Sequence, residues 1–200
     1  MNLTTLPRLR AHFRQACAAT CCRSISPTPP GSVPTVTDDP PTRQRAQQVA
    51  HSLNVIAELP RYVDDTQFPV GLRVAAVDGF FVHARLLIEF LIKPPDLNHP
   101  AIHRDDYAAG FALAQVHTAL YQRLRADYDF ASKHVAHLSI NRLPDTESAG
   151  VDFVSASRLQ AHAEDIFNAM RAFIRHMRTT GSAYVGDFEQ SLSDAEARRT

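Results

Sequence analysis

The sequence predicts an all-α protein, a four- to five-helix up-down bundle that follows a disordered, proline-rich N-terminal extension. Apolar residues recur at helical spacing through most of residues 42–181, whereas only the short stretch "HLSINRL" alternates as a strand would. Proline or glycine stands at the ends of these periodic segments, where helices begin and end. Prolines are concentrated in "SISPTPPGSVPTVTDDPPT", before the first periodic segment, as is typical of a linker.

Composition excludes several classes of protein. The 21 lysines and arginines balance the 21 aspartates and glutamates, which argues against a protein that grips long duplex DNA through many phosphates. The most apolar stretch, "GFFVHARLLIEFLI", is interrupted by charged residues and is shorter than the roughly 20 residues of a membrane span. The 3 cysteines all lie in the extension, which favours a cytoplasmic protein without disulfides. We therefore expect neither a membrane nor long duplex DNA as a partner.

Three regions follow from this organisation. Residues 1–41 are expected to be the flexible extension, and residues 42–181 the helical bundle domain. Residues 182–200, which contain "VGDFEQSLSDAEARRT", are polar overall and are expected to form a fraying C-terminal tail.

The first two helices are delimited by prolines. Thr42 is placed to cap a helix through "RQRAQQVAHSLNVIAEL", which Pro60 should end. A second helix should begin near Pro69 and continue to about Ile92, before "KPP". The segment "KPPDLNHPAIHRDD" has too many prolines to be regular.

The remaining helices follow that loop. Asp105 or Asp106 should cap a third helix, and "DFASKHVAHLSINR" either continues it after a break or forms a short helix of its own. The last helix should span residues 157–179, with Ser157 and Gln160 in capping-box register and Gly181 at its end.

The second helix is apolar nearly all round, so its polar side chains need partners. At 100° per residue, Asp78, Arg85 and Glu89 fall within about 40° of one another, and His83 points about 200° away from Arg85. One interpretation is a core histidine bonded to a neighbouring helix and an ion ladder through Arg85. The functional alternative is that His83 and Arg85 face "SKHVAH" and bind substrate.

The stretch "DFASKHVAHLSINR" contains the candidate catalytic residues. Lys133 and His137 are four residues apart, and His134 neighbours His137, so all three are close on a helix. Histidines near neutral pH transfer protons, and a lysine stabilises charge on a phosphate. His137 with His134 or His83, together with Lys133 and Arg142, could cleave RNA without a metal. The plain alternative is a solvated helix face.

A metal site is the weaker interpretation of the same histidines. His134 and His137 could chelate an ion if His83 or His117 completed the set, but no carboxylate stands at a spacing that would orient the imidazoles. We therefore expect no metal and no other cofactor.

The segments "FFVHARLLIEFL", "DDYA" and "SKHVAHLSINR" resemble a group of uncharacterised bacterial proteins with an all-helical domain, which look related to the HEPN superfamily. The resemblance covers about residues 45–180. It implies a HEPN-like bundle that forms homodimers and binds RNA or a nucleotide. HEPN ribonucleases pair an arginine with a histidine a few residues later. By this resemblance His137 would be catalytic and Lys133 would replace the arginine, although both the cation and the spacing depart from the pattern.

Two hypotheses result. The first is a HEPN-like domain that binds RNA or a nucleotide and is at most a metal-independent endoribonuclease of toxin or defence type. The second is a non-catalytic helical domain for dimerisation or protein interaction.

Overall fold

The computed structural model describes residues 40–94, 102–136 and 154–199, and side chains within 42–94, 102–133 and 154–199. These residues form α-helices and short 3-10 turns and contain no strand, which confirms the all-α prediction. The described ranges contain six α-helices rather than four or five. They are α1 (Pro40–Glu58), α2 (Val70–Ile92), α3 (Leu113–Val116), α4 (Thr118–Ala136), α5 (Ala156–Thr180) and α6 (Val185–Ala197). No helix in these ranges is long and apolar enough to cross a membrane.

Helix α2 lies at the centre and packs against α1, α4 and α5. It begins directly after Pro69 and ends at Ile92, as the sequence predicts. Buried side chains, among them Phe80, Phe81 and Leu87, point to several sides of this helix, because apolar residues surround most of its axis.

Helix α1 differs from its prediction at both ends. It begins at Pro40, two residues before Thr42, and Pro60 does not stop the chain from coiling. The residues around Pro60 continue as a 3-10 helix, Leu59–Tyr62, which packs against α2 and α5. Proline is tolerated there because it occupies the first turn, where its missing N–H has no helical partner.

The third helix is the clearest correction before α5. Asp105 and Asp106 belong to a single 3-10 turn, Arg104–Asp106, and the chain then turns at Gly110, which has a φ of 79°. After Gly110 the first α-helical residue is Leu113. Helix α3 ends before His117, and α4 begins at Thr118. Helix α4 then continues through "DFASKHVA" without interruption.

Arg104 holds the two ends of the α2–α3 connection together. Its Nε donates to the carbonyl oxygen of Phe111 at 2.9 Å, and its Nη1 donates to the carbonyl oxygen of Lys93. The end of α2 is therefore fixed next to the start of α3.

Helix α5 runs one residue further at each end than predicted. Its cap is Ser155, whose hydroxyl accepts from the N–H of Arg158 at 3.3 Å, and not Ser157. Gly181 ends the helix in the left-handed region, with a φ of 68°, as the sequence predicts.

The expected polar tail is corrected by helix α6. Phe188, Leu192 and Ala195 are spaced four and three residues apart, so they share one face, and all three are buried. This face packs against α1 and α5. The bundle therefore includes residues beyond 181.

Candidate functional site

His83 lies between α1 and α2. Its Nδ1 is 3.1 Å from the hydroxyl oxygen of Ser52 on α1, and its ring meets that of His51 edge-on, with centroids 5.2 Å apart. Burial lowers the pKa of His83 below its usual value, and the neighbouring His51 lowers it further. This is the arrangement of a core histidine bonded to a neighbouring helix, and it directs His83 away from α4.

Arg85 points to the other side of α2, towards α4. Its Cζ lies 5.8 Å from the ring centroid of Tyr128. The Nζ of Lys93, two turns further along α2, lies 4.7 Å from the same centroid. Glu89 stands between the two cations in sequence and pairs with Lys93, with 2.8 Å between its Oε1 and Nζ. We call Arg85, Glu89, Lys93 and Tyr128 the α2–α4 cluster.

The electrostatics of the α2–α4 cluster are dominated by its cations. Burial of Tyr128 disfavours the phenolate, but hydrogen bonding from Lys93 and then Arg85 outweighs burial, so the pKa of the phenol is lowered. Hydrogen bonding to Glu89, and then to Tyr128, raises the pKa of Lys93. The Nε of Arg85 is buried and has no hydrogen-bond partner. In the predicted ion ladder Glu89 pairs with Arg85. In the structure Glu89 pairs with Lys93 instead.

Lys133 lies on the solvent side of α4. It continues an exposed row that contains Gln122, Ala126 and Asp129. Its ammonium makes no ion pair with any residue that the structure describes. In a regular helix Lys133 stands about 140° from Tyr128, so it faces away from the α2–α4 cluster although the two are little more than one turn apart.

The other predicted catalytic and binding residues belong to the same part of the chain. The backbone of His134 is in α4, but its side chain, and all of His137 and Arg142, lie outside the described residues. The structure therefore brings Arg85 to α4 and exposes Lys133, and it does not bring His83 to either of them.

The three-histidine metal hypothesis finds no support in the described geometry. His117 stands just before α4 and 17 positions before His134, a separation of about 25 Å along a helix axis. His83 faces α1 instead. Among the described residues no group of three or more histidine, cysteine or carboxylate side chains could hold a metal ion.

Tyr128 and Lys93 were not among the residues that the sequence pattern predicted for the site. Lys93 is one of only two lysines, which was a signal, but nothing local connects it with a tyrosine 35 residues later. A second polar pair was missed for the same reason. His162 Nδ1 on α5 lies 2.9 Å from a carboxylate oxygen of Asp127 on α4.

Compared with protein-family models, with curated protein sequences and with solved structures, the chain matches none of them. The arrangement of its own side chains therefore carries the functional argument.

Proposed function

We propose that this chain is a HEPN-like helical domain of the cytoplasm that binds RNA or a nucleotide with the last turns of α4, as a homodimer. The observation that carries the proposal is the exposed ammonium of Lys133, which has no carboxylate partner among the described residues. The chain's only other lysine, Lys93, is paired with Glu89. A solvated lysine without an internal partner is suited to hold a phosphate as a point charge.

The catalytic form of this proposal is metal-independent cleavage of RNA. His137 would take the proton of the 2′-hydroxyl or return one to the leaving oxygen, with His134 as its counterpart. Lys133 would stabilise charge on the phosphorane, and Arg142 would hold the substrate. Support comes from the resemblance of "SKHVAHLSINR" to HEPN proteins and from the continuity of α4 through Lys133 and His134.

A non-catalytic interaction domain is the second candidate, and a specific surface favours it. Leu72, Val82 and Leu86 on α2 are 47%, 41% and 53% exposed, and Val82 and Leu86 are four residues apart on one face. Burying such apolar side chains against another protein is favourable.

A binding measurement tests the first candidate. Short fluorescent single-stranded RNA is titrated with wild type, with Lys133→Gln and with Arg125→Gln. Arg125 is an exposed cation on the same helix and provides a matched loss of charge. We expect Lys133→Gln to weaken binding at least about tenfold and to reduce its salt dependence, while Arg125→Gln changes little. Equal weakening in both variants would indicate non-specific attraction and contradict the proposal.

Expression of wild type and of His137→Ala tests the catalytic form. Growth arrest and cleaved RNA with wild type and with His117→Ala, but not with His137→Ala, would support catalysis. His117→Ala is the control because His117 is exposed at the far end of α4. Intact RNA and equal growth with both proteins, each folded, would refute it. The Leu86→Asp variant tests the interaction domain. A dimeric wild type and a monomeric Leu86→Asp, neither of which binds RNA, would favour this second candidate.

A further inference from the structure

We infer that the α2–α4 cluster is a second anion-binding site, in which Arg85, Lys93 and Tyr128 hold a phosphate group of the ligand. This rests on the proposed function for the source of the phosphate, which is RNA or a nucleotide. It adds a contact surface that faces away from Lys133.

The α2–α4 cluster has more cations than carboxylates. Arg85 and Lys93 both approach the ring of Tyr128, and Glu89 is the carboxylate that pairs with Lys93. Two cations against one carboxylate leave one positive charge on the cluster. Arg85 pairs with no carboxylate among the described residues, and it is half-buried, so its charge is less screened than that of a fully exposed side chain.

Arg85 also has a hydrogen-bond donor that is not satisfied. The Nε of Arg85 is buried and makes no hydrogen bond, and a buried donor without an acceptor is unfavourable. A guanidinium has a fixed fork of N–H groups that matches two oxygens of a phosphate. A small rotation of Arg85 towards a bound phosphate would give Nε an acceptor.

The hydroxyl of Tyr128 is where the donors of the cluster meet. Burial and the charge of Glu89 both oppose ionisation of the phenol, yet its pKa is lowered, because hydrogen bonding from Lys93, Arg85 and Ser132 favours the phenolate. The same cationic donors can bind an anionic ligand. The neutral phenol offers an O–H donor, which adds to the ammonium of Lys93 and the guanidinium of Arg85. Donors from α2, from its C-terminal cap and from α4 are therefore grouped around one ring, that of Tyr128.

Tyr128 itself supplies the test. The chain has 5 tyrosines and no tryptophan, so tyrosine labelled with ¹³C at Cζ gives few resonances, and Tyr128→Phe assigns the one that matters. Inorganic phosphate and adenosine monophosphate are titrated separately at constant ionic strength, with chloride as the balancing anion. We expect a saturable shift of the Tyr128 resonance and a rise in the pKa of its phenol, because a bound anion disfavours the phenolate.

Variants identify the contacts. Arg85→Gln should weaken the response of Tyr128 at least about tenfold, and Arg85→Lys should restore it only in part, because lysine lacks the bidentate fork. Arg175→Gln, which removes an exposed cation on α5, should leave it unchanged. Circular dichroism of each variant shows that the fold is retained. A Tyr128 resonance that ignores phosphate, or that responds equally to chloride, would overturn the inference.

The two proposals fail separately. A Tyr128 that responds to inorganic phosphate in a protein that binds neither RNA nor adenosine monophosphate would refute the proposed function and support the anion site. RNA binding that is lost in Lys133→Gln, with Tyr128 silent in wild type, would refute the anion site and support the proposed function.

Discussion

Replacement of Phe188 by alanine tests whether α6 is an integral part of the bundle. Phe188 is 2% exposed, and its ring contacts three others. The centroids of Tyr107, Phe173 and Phe90 lie 5.0, 5.7 and 6.2 Å from that of Phe188. Removing a fully buried phenylalanine typically costs about 3–5 kcal/mol, through lost burial and the cavity that remains.

This cost is large for a domain of this size. Each kcal/mol lowers the Tm of a domain of about 150–250 residues by roughly 2–4 °C, so Phe188→Ala should lower it by about 6–20 °C. The same loss is a substantial part of a total stability of about 5–15 kcal/mol.

Urea and thermal unfolding, followed by far-UV circular dichroism, measure the effect. The control is Val116→Ala on α3, because Val116 is 56% exposed and its loss should change stability by no more than about 0.5 kcal/mol. If residues 182–200 were the polar tail that composition suggests, Phe188→Ala would behave like this control. A change below about 1 kcal/mol for Phe188→Ala would therefore refute the packing of α6.

Three further predictions concern glycine, a helix cap and pH. Gly181→Ala should destabilise by about 1–2 kcal/mol, because its φ of 68° strains a residue with a Cβ. Gly186→Ala should instead stabilise by roughly 0.5 kcal/mol, because Gly186 is helical and its Cβ would meet open space, and the same unfolding assay compares the two. Ser155→Ala should cost about 1 kcal/mol and Ser157→Ala much less, because the hydroxyl of Ser155 caps α5; the opposite order would contradict the cap. Because the pKa of His83 is lowered in the fold, the unfolded chain binds a proton first as pH drops. The contribution of neutral His83 to the free energy of unfolding should be fully present above about pH 6.5 and should be lost as the pH falls below it. Stability should therefore fall less steeply with decreasing pH in His83→Asn than in wild type. Equal slopes of unfolding free energy against pH, measured by urea unfolding, would exclude this role.

Helices α2 and α5 were predictable because a single residue marks one end of each helix. Pro69 fixes the start of α2, and Gly181 fixes the end of α5 through a conformation that other residues avoid. Away from these ends, many apolar residues at helical spacing indicate a helix rather than a strand or a loop. The predicted length of each helix was therefore accurate to within a few residues.

Short elements were missed because tertiary contacts decide them. Tyr107 and Phe111 are four residues apart, which suggested a helix, but the chain turns at Gly110 and both side chains reach the core from a loop. In α6 the apolar residues Phe188, Leu192 and Ala195 have helical spacing. The segment was nevertheless predicted to be a tail, because most of its other residues are polar. Burial against α1 and α5 supplies the stability that local propensity does not.

The candidate site was only partly predictable for a related reason. Helix geometry alone separated His83 from Arg85, and the structure places them against α1 and α4 respectively. The partner of Arg85 was not predictable, because Tyr128 is 43 residues away and no periodicity extends across the loop between α2 and α4. Contacts between distant helices depend on packing angles that a single sequence does not reveal.

The contact between α1 and α6 joins the first and the last helix that the structure describes. Residues that are distant in the sequence meet late in folding, because closing a long loop costs entropy before the contact forms. Helix α6 should therefore dock onto α1 late, and until then Phe90, Tyr107 and Phe173 lack the ring of Phe188 that packs against them. A partly folded chain would then expose aromatic surface, to which chaperones bind and through which neighbouring chains aggregate.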